Sequence, residues 1–303
     1  AFAAAGCGKD GFQYGAGGEG PGHRRQAVAL SAQQEVALGD QAFQEVLAKE
    51  EPVEGPEAER VRTIGEKIFH EALENRPLRQ EIGLRDSDPY GTPYNFKDRK
   101  YAVLRDKSVN AFCLPGGKVA VFTGLMKMTR DKDDWLATVL GHEIAHALAH
   151  HSSERIAHER MYGPASDAAG LEHLPTGERL ELLDLLGVGR HALTYRDQQP
   201  DSQQGGPGVF TQIRELSFDR DQEEEADHIG VFLMAFAGYN PEQAVVFWQA
   251  MAQQGGDKVV PEILSDHPTD AHRIKLMRRW AVSAQNALAA WKAGQVAPPA
   301  AGR

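Results

Sequence analysis

Apolar residues recur at helical spacing from Ser31 to Glu50, behind a serine cap, with Val36, Phe43 and Val46 among them. The stretch "EPVEGPE" breaks the pattern, and a second helix over 58–73 sets Val61, Ile64 and Ile68 on one face. Pro77 then predicts an exit into an irregular segment that runs through Pro93. Between Asn95 and Phe122 the period changes to two. "NFKDRKYAVLRD" alternates at Tyr101 and Val103 and predicts a strand. "VNAFCL" and "KVAVF" flank Pro115, Gly116 and Gly117, which predicts a strand–turn–strand unit.

Beyond it the pattern is helical to the end. One helix is expected from about Asp133 to Arg160, capped by Asp133 or Asp134. Residues 162–210 are rich in Gly, Pro and Ser; 197–208 reads as mobile, with a short helix at Leu180–Leu186. Another helix is expected from Asp219 to Ala237, ended by Gly238, and Asn240 with Pro241 restarts helix. The last begins after "SDHPTD", passes Trp280 and frays into an Ala-rich tail over 296–303. The sum is an α+β domain over 26–295, mostly helical, with one small sheet and an inserted segment at 162–210. Its longest apolar run, "VFLMAFA" (231–237), falls far short of the roughly 20 residues a membrane-spanning helix needs.

Charge and cysteine content narrow the partners. The formal net charge of the 303 residues is -10, which argues against nucleic acid and offers no basic patch. Neither cysteine has the CxxC spacing of a thiolate site. The opening "AFAAAGC" looks like the tail of a signal peptide, and small residues before Cys7 resemble a lipobox. On that reading residues 1–25 are a processed leader and a Gly-rich tether, Cys7 carries lipid, and Gly8 directs the protein to the outer membrane. The other reading is cleavage after an Ala-x-Ala site. Both predict an exported, periplasmic protein.

The chemistry is concentrated in "GHEIAHALAHH" (141–151). On a helix His142 and His146, four apart, project from one face and reach one tetrahedral zinc. Glu143, rotated by about 100°, faces a water rather than the metal. Gly at 149 and His at 152 would mark a metzincin; Ala149 and Ser152 exclude that class. His150 and His151 cannot join the same metal on an unbroken helix and are expected to be polar residues near its end, with His158 solvated. In "EEEAD" (223–227) Glu223 and Asp227 share a face, so that one carboxylate can bind the metal while the other hydrogen-bonds a ligand histidine. Glu224 and Glu225 are expected in solvent. A His, His, Glu set with one open position is the pattern of a catalytic zinc.

Together "NAFCLPGGKVAVFTGL", "VLGHEIAHALAHH", "SFDRDQEEEADHIGVFLMAFAGYNP" and "SDHPTDAHRI" resemble the gluzincin peptidases related to the CAAX prenyl endopeptidases, peptidase family M48, in their soluble bacterial, Oma-like branch. The likeness covers about residues 31–280. It implies a zincin-like fold, one Zn2+ per chain on His142, His146 and Glu223, Asp227 behind a ligand histidine, and Glu143 as general base. It also implies that "VNAF" is an edge strand along which an extended polypeptide adds, with Asn110, Ala111 and Phe112 lining the groove. Cys113 then reads as packing. His267 either donates to the oxyanion or binds zinc directly in a latent state; Arg273 braces either the site or the developing charge. The implied function is zinc-dependent peptide hydrolysis, with unfolded or misassembled envelope proteins as substrates. Two alternatives stand beside it: a protease held latent by the His267 loop or by 162–210, and a chaperone-like binder that keeps the fold without cutting.

Overall fold

The structure is a computed structural model that describes residues 13–14, 26–84, 95–162, 218–254, 262–267 and 271–294. The expectations for Cys7 and the tether, for the inserted segment beyond Tyr162, for the side chain of His158 and for the tail at 296–303 lie outside these residues.

A two-residue strand pair, β1 (Gln13–Tyr14) with β2 (Ala27–Val28), precedes α1 (Ala32–Lys49). Ser31 and Gln34 close a reciprocal capping box at the start of α1. Next come α2 (Pro56–Glu74) and α3 (Arg76–Glu81). The predicted exit at Pro77 is therefore corrected. Proline lacks only an N–H that the first helical turn leaves unbonded, and the Asn75 side chain accepts from the Leu78 N–H to start the turn.

The sheet follows: β3 (Lys100–Leu104), β4 (Ala111–Leu114) and β5 (Lys118–Phe122), in the order β3-β5-β4. β5 runs parallel to β3 and antiparallel to β4. Its five residues are all buried because both faces are covered. Val119 and Val121 join the main core, whereas Ala120 and Phe122 join a second cluster with Leu38, Ala42 and Phe43 of α1. The free side of β3 is occupied by residues 51–53: Val53 N–H donates to Val103 O and Arg105 N–H to Glu51 O. Among the described residues β4 pairs with β5 alone and is the edge strand, as the family resemblance implies.

After α4 (Thr123–Met128), α5 (Asp133–Leu148) is buried on every side from Leu136 onward, so it is a central rather than a surface helix. Its cap is Lys132, not Asp133 or Asp134, with no side-chain bond. The long helix expected to Arg160 is two: α5 stops at Leu148, and α6 (His151–Tyr162) starts again after Ala149 and His150. Local propensity loses here to tertiary contacts. His150 takes φ 58, a left-handed value that L-residues other than glycine rarely adopt. Its Nδ1 lies 2.7 Å from Glu35 Oε2, and the Gln26 side-chain amide donates to Ala149 O. Ala29 and Leu30 donate their N–H groups to Ser153 Oγ, so the segment 26–35 clamps the break from outside.

The remaining helices are α7 (Arg220–Phe236), α8 (Glu242–Gln254), α9 (Glu262–Asp266) and α10 (Ala271–Lys292). No helix among the described residues is long and apolar enough to cross a membrane. α7 starts on an Asp219–Gln222 capping box and packs on α5 at a glycine pair. A Cβ on Gly230 would stand 2.8 Å from Gly141 C and from His142 N, both backbone atoms that cannot step aside. Gly230→Ala is therefore expected to cost about 1–3 kcal/mol of stability, the range for overpacking. Urea denaturation checks it, and an unchanged midpoint would mean that the helices do not approach this closely.

Candidate metal centre

The glycine contact packs the middle of α5 on the middle of α7, and His267, just beyond α9, reaches side chains of both. His142 and His146 come from α5, Glu223 from the first turn of α7, and His267 from just beyond α9. His142 Nε2 lies 3.0 Å from His146 Nε2 and 3.2 Å from His267 Nδ1. Glu223 Oε1 is 2.7 Å from His267 Nδ1 and 3.5 Å from His146 Nε2, and its Oε2 is 3.4 Å from His142 Nε2. The four donor atoms all lie within 4.8 Å of one another, and each residue is buried.

These residues fit a metal ion. Zinc bonds of about 2.1 Å in tetrahedral array put ligand atoms about 3.4 Å apart, close to the separations here. The donor chemistry agrees: three imidazole nitrogens and one carboxylate converge on one point, the set zinc accepts. On the far side of His142, Asp227 Oδ1 stands 3.0 Å from Nδ1, and the charge of that carboxylate favours a proton on Nδ1, with Nε2 facing the centre. Burial pulls the His142 imidazole down, but Asp227 and Glu223 outweigh it and raise it to about 10. His146 is pushed well down, by burial and then by the charge on His142. Glu223 is buried too, yet His267 and His142 hold it well below the carboxylate range.

Glu143 is buried beside this group without belonging to it. Its Oε1 has no hydrogen-bond partner among the described residues; His267 Nε2 is 3.4 Å away. Burial raises its carboxyl, against the pull of His267 and His142. A buried carboxylate left under-bonded is costly, and such groups concentrate where chemistry needs them.

Arg273, at the start of α10, is 2% exposed and faces the Asp227 and Glu223 carboxylates of α7. Its Nε and one terminal nitrogen donate to Asp227 Oδ2 and Oδ1 at 2.8 and 3.0 Å, and the other terminal nitrogen is 2.8 Å from Glu223 Oε2. The expected groove residues divide. Ala111 and Cys113 turn into the main core, so Cys113 packs as expected. Phe112 turns to the other face, edge-on to Phe122. Asn110 is buried, accepts from the Ala111 N–H, and donates to Asp266 Oδ2 at 2.9 Å. With the Ile263 N–H donated to Val109 O, this ties the entry of β4 to the turn that carries His267.

Two expectations are overturned. His150 and His151 are buried, not polar groups at a helix end. Glu225 is buried, with Oε2 2.8 Å from His151 Nε2. Both errors follow from treating 133–160 as one helix, because the break turns His151 inward to meet α7. Phe218 also escaped sequence reasoning; its ring stacks on His146 at 3.9 Å between centroids, and the Arg155 guanidinium lies 4.2 Å from the Phe218 ring centroid. An aromatic just ahead of the Asp219 cap was the available signal.

The model of peptidase family M48 matches residues 76–175 and 176–281. The chain is 34% identical over 200 residues to the mitochondrial metalloendopeptidase OMA1 of Arabidopsis thaliana, covering 65% of this chain and 35% of that protein. It is 36% identical over 184 residues to the mitochondrial metalloendopeptidase OMA1 of Schizosaccharomyces pombe, covering 60% and 47%. With the beta-barrel assembly-enhancing protease of Yersinia pestis it shares 27% identity over 252 residues, 82% of this chain and 44% of the relative. The matches thus span less than half the length of each of these relatives.

Proposed function

The chain belongs to peptidase family M48, and from that premise we propose that it is a zinc-dependent metalloendopeptidase with its catalytic domain at residues 26–295. One zinc per chain is held by His142, His146 and Glu223. The observation that carries this reading is the convergence of four buried donor atoms within 4.8 Å, with the Glu143 carboxylate beside them. When bound, zinc supplies Lewis acidity, polarising a carbonyl and bringing the pKa of water towards neutrality. Glu143 takes the proton from water as general base and returns it to the leaving amine. The upward push from burial suits both halves of that task, since a base that must also act as an acid works best near the ambient pH. Asp227 orients His142, and Arg273 holds Asp227 and Glu223 in place.

His267 carries a second reading. Its Nδ1 stands within the donor set, which favours a latent arrangement with His267 as fourth ligand. Withdrawn from that position, the same ring is free to donate to the oxyanion. The non-cleaving binder is disfavoured, because a binder has no use for a buried carboxylate at Glu143.

Substrates are extended polypeptides that add to β4, read mostly through the backbone, with Ala111 and Phe112 on the strand and Asn110 at its entry. We place the protein in the periplasm as an outer-membrane lipoprotein anchored through Cys7, acting on unfolded or misassembled envelope proteins. The small residues before Cys7 and the likeness to a beta-barrel assembly-enhancing protease support this; the relatives named as mitochondrial metalloendopeptidases lend it no support.

The test is zinc content and casein cleavage on one purified sample. Glu223→Ala is expected to lose metal and cleavage together. His267→Ala is expected to keep zinc, and cleavage that rises in this variant identifies the latent state. Absence of both zinc and cleavage in every form sinks the reading.

A further inference from the structure

His142 has Asp227 at its back, whereas His146 faces another histidine. His146 Nδ1 lies 2.8 Å from His151 Nδ1, and His151 Nε2 lies 2.8 Å from Glu225 Oε2. We propose that Glu225 and His151 form a two-residue positioning relay that aims His146 at the metal, and that the helix break after Ala149 is what brings the relay into reach. The inference rests on the reading of His146 as a zinc ligand.

The hydrogen-bond polarity follows from the end of the chain. A carboxylate only accepts, so the neutral His151 ring carries its proton on Nε2 and presents a lone pair at Nδ1. That lone pair accepts from the His146 Nδ1–H, which leaves His146 Nε2 without a proton and facing the centre. The His146 Nε2 lone pair then faces His142 Nε2 at 3.0 Å, and a cation bound between them takes the place of the proton that His142 Nε2 otherwise carries. Both ligands are thereby fixed in the same tautomer by a carboxylate from α7. Asp227 does it directly; Glu225 does it through one additional imidazole. Phe218 complements the relay by stacking on the His146 ring, fixing its plane while the hydrogen bond fixes its rotation within that plane.

Helix geometry explains why the break is needed. On a continuous helix a residue five positions on is turned by about 140° from the first and cannot face its imidazole. The left-handed turn at His150 reverses that, and Glu35 holds the turn through its 2.7 Å contact with His150 Nδ1. The contact from α1 thus bears on the geometry of a ligand in α5.

The test is equilibrium zinc competition against a chelator, on the full chain and on His151→Phe, His151→Asn, His151→Gln and Glu225→Gln. His151→Phe is expected to bind zinc about 10–100-fold more weakly, the range for losing a partner behind a ligand histidine. An Asn amide oxygen sits near the lost Nδ1, so His151→Asn is expected to restore affinity to within about threefold. A Gln amide reaches towards Glu225 instead and is expected not to restore it. Cobalt(II) absorption should follow the same order, distorted in Phe and Gln and native-like in Asn. A mere packing role would make Asn and Gln equivalent; that result, or equal zinc affinity in all folded variants, overturns the proposal. If His151→Phe does not fold, the Asn–Gln comparison still decides. An unchanged chain that takes up no zinc overturns the metal reading, and this inference with it; an unchanged chain that binds zinc while the variants match it overturns this inference alone.

Discussion

Glu143→Gln is expected to lower the rate of peptide cleavage by about 10²–10⁴-fold, the contribution of a positioned general base. It should leave zinc content unchanged, because Glu143 is not among the converging donor atoms. The amide matches the carboxylate in shape and removes only its ability to take a proton. Its effect on stability should run opposite to its effect on rate. Glu143 Oε1 has no hydrogen-bond partner among the described residues, and burial disfavours its charged form. Replacing it with a neutral group relieves that cost, so the thermal midpoint is expected to hold or rise. Cleavage of casein, zinc content and thermal melting on one preparation check all three parts. Full activity in a zinc-loaded variant would remove Glu143 from the mechanism.

The residues that a helix or strand period displays were legible in the sequence. His142 and His146 converge with α7 because the four-residue spacing and the apolar continuation of α7 dictate which faces are buried, whereas spacing left Glu223 and Asp227 open and the family resemblance pointed to Glu223. The β4–β5 hairpin was legible too, its Pro-Gly-Gly turn lying between two short apolar runs. Asn110 and His151 were not legible in their actual settings. Asn110 meets Asp266, 156 residues along the chain, and no local pattern encodes such a contact. His151 depends on a left-handed turn at His150, a residue with no intrinsic preference for it strong enough to predict. That turn is set by Gln26, Glu35 and Ser153 acting across the fold, and with it went the burial of Glu225. Local propensity predicted a longer helix, and tertiary hydrogen bonds broke it.

Arg273→Met is expected to destabilise the metal-free protein by about 3–5 kcal/mol, the cost of removing one partner from a buried ion pair. Three contacts disappear together, two to Asp227 and one to Glu223, and both carboxylates are left in the interior. Arg273→Lys is the informative control. An ammonium restores the charge, but a single nitrogen cannot span both Asp227 oxygens and Glu223 Oε2 at once. If the planar fork matters, lysine should recover less than half of the loss; if charge alone matters, it should recover most of it. Urea denaturation of the metal-free forms measures this directly. The same variants separate bracing from contact with the developing charge. Arg273 stands behind Asp227 and Glu223, at the start of α10, and its three donor nitrogens are already directed at those carboxylates. A bracing residue in that position should cost cleavage mainly through lost folding and lost zinc. Per folded, zinc-loaded molecule, Arg273→Lys should then retain far more activity than Glu143→Gln. A loss as deep as that of Glu143→Gln, in protein that is folded and loaded, would instead assign Arg273 to the reacting atoms, because only a group that meets the transition state removes rate without removing structure.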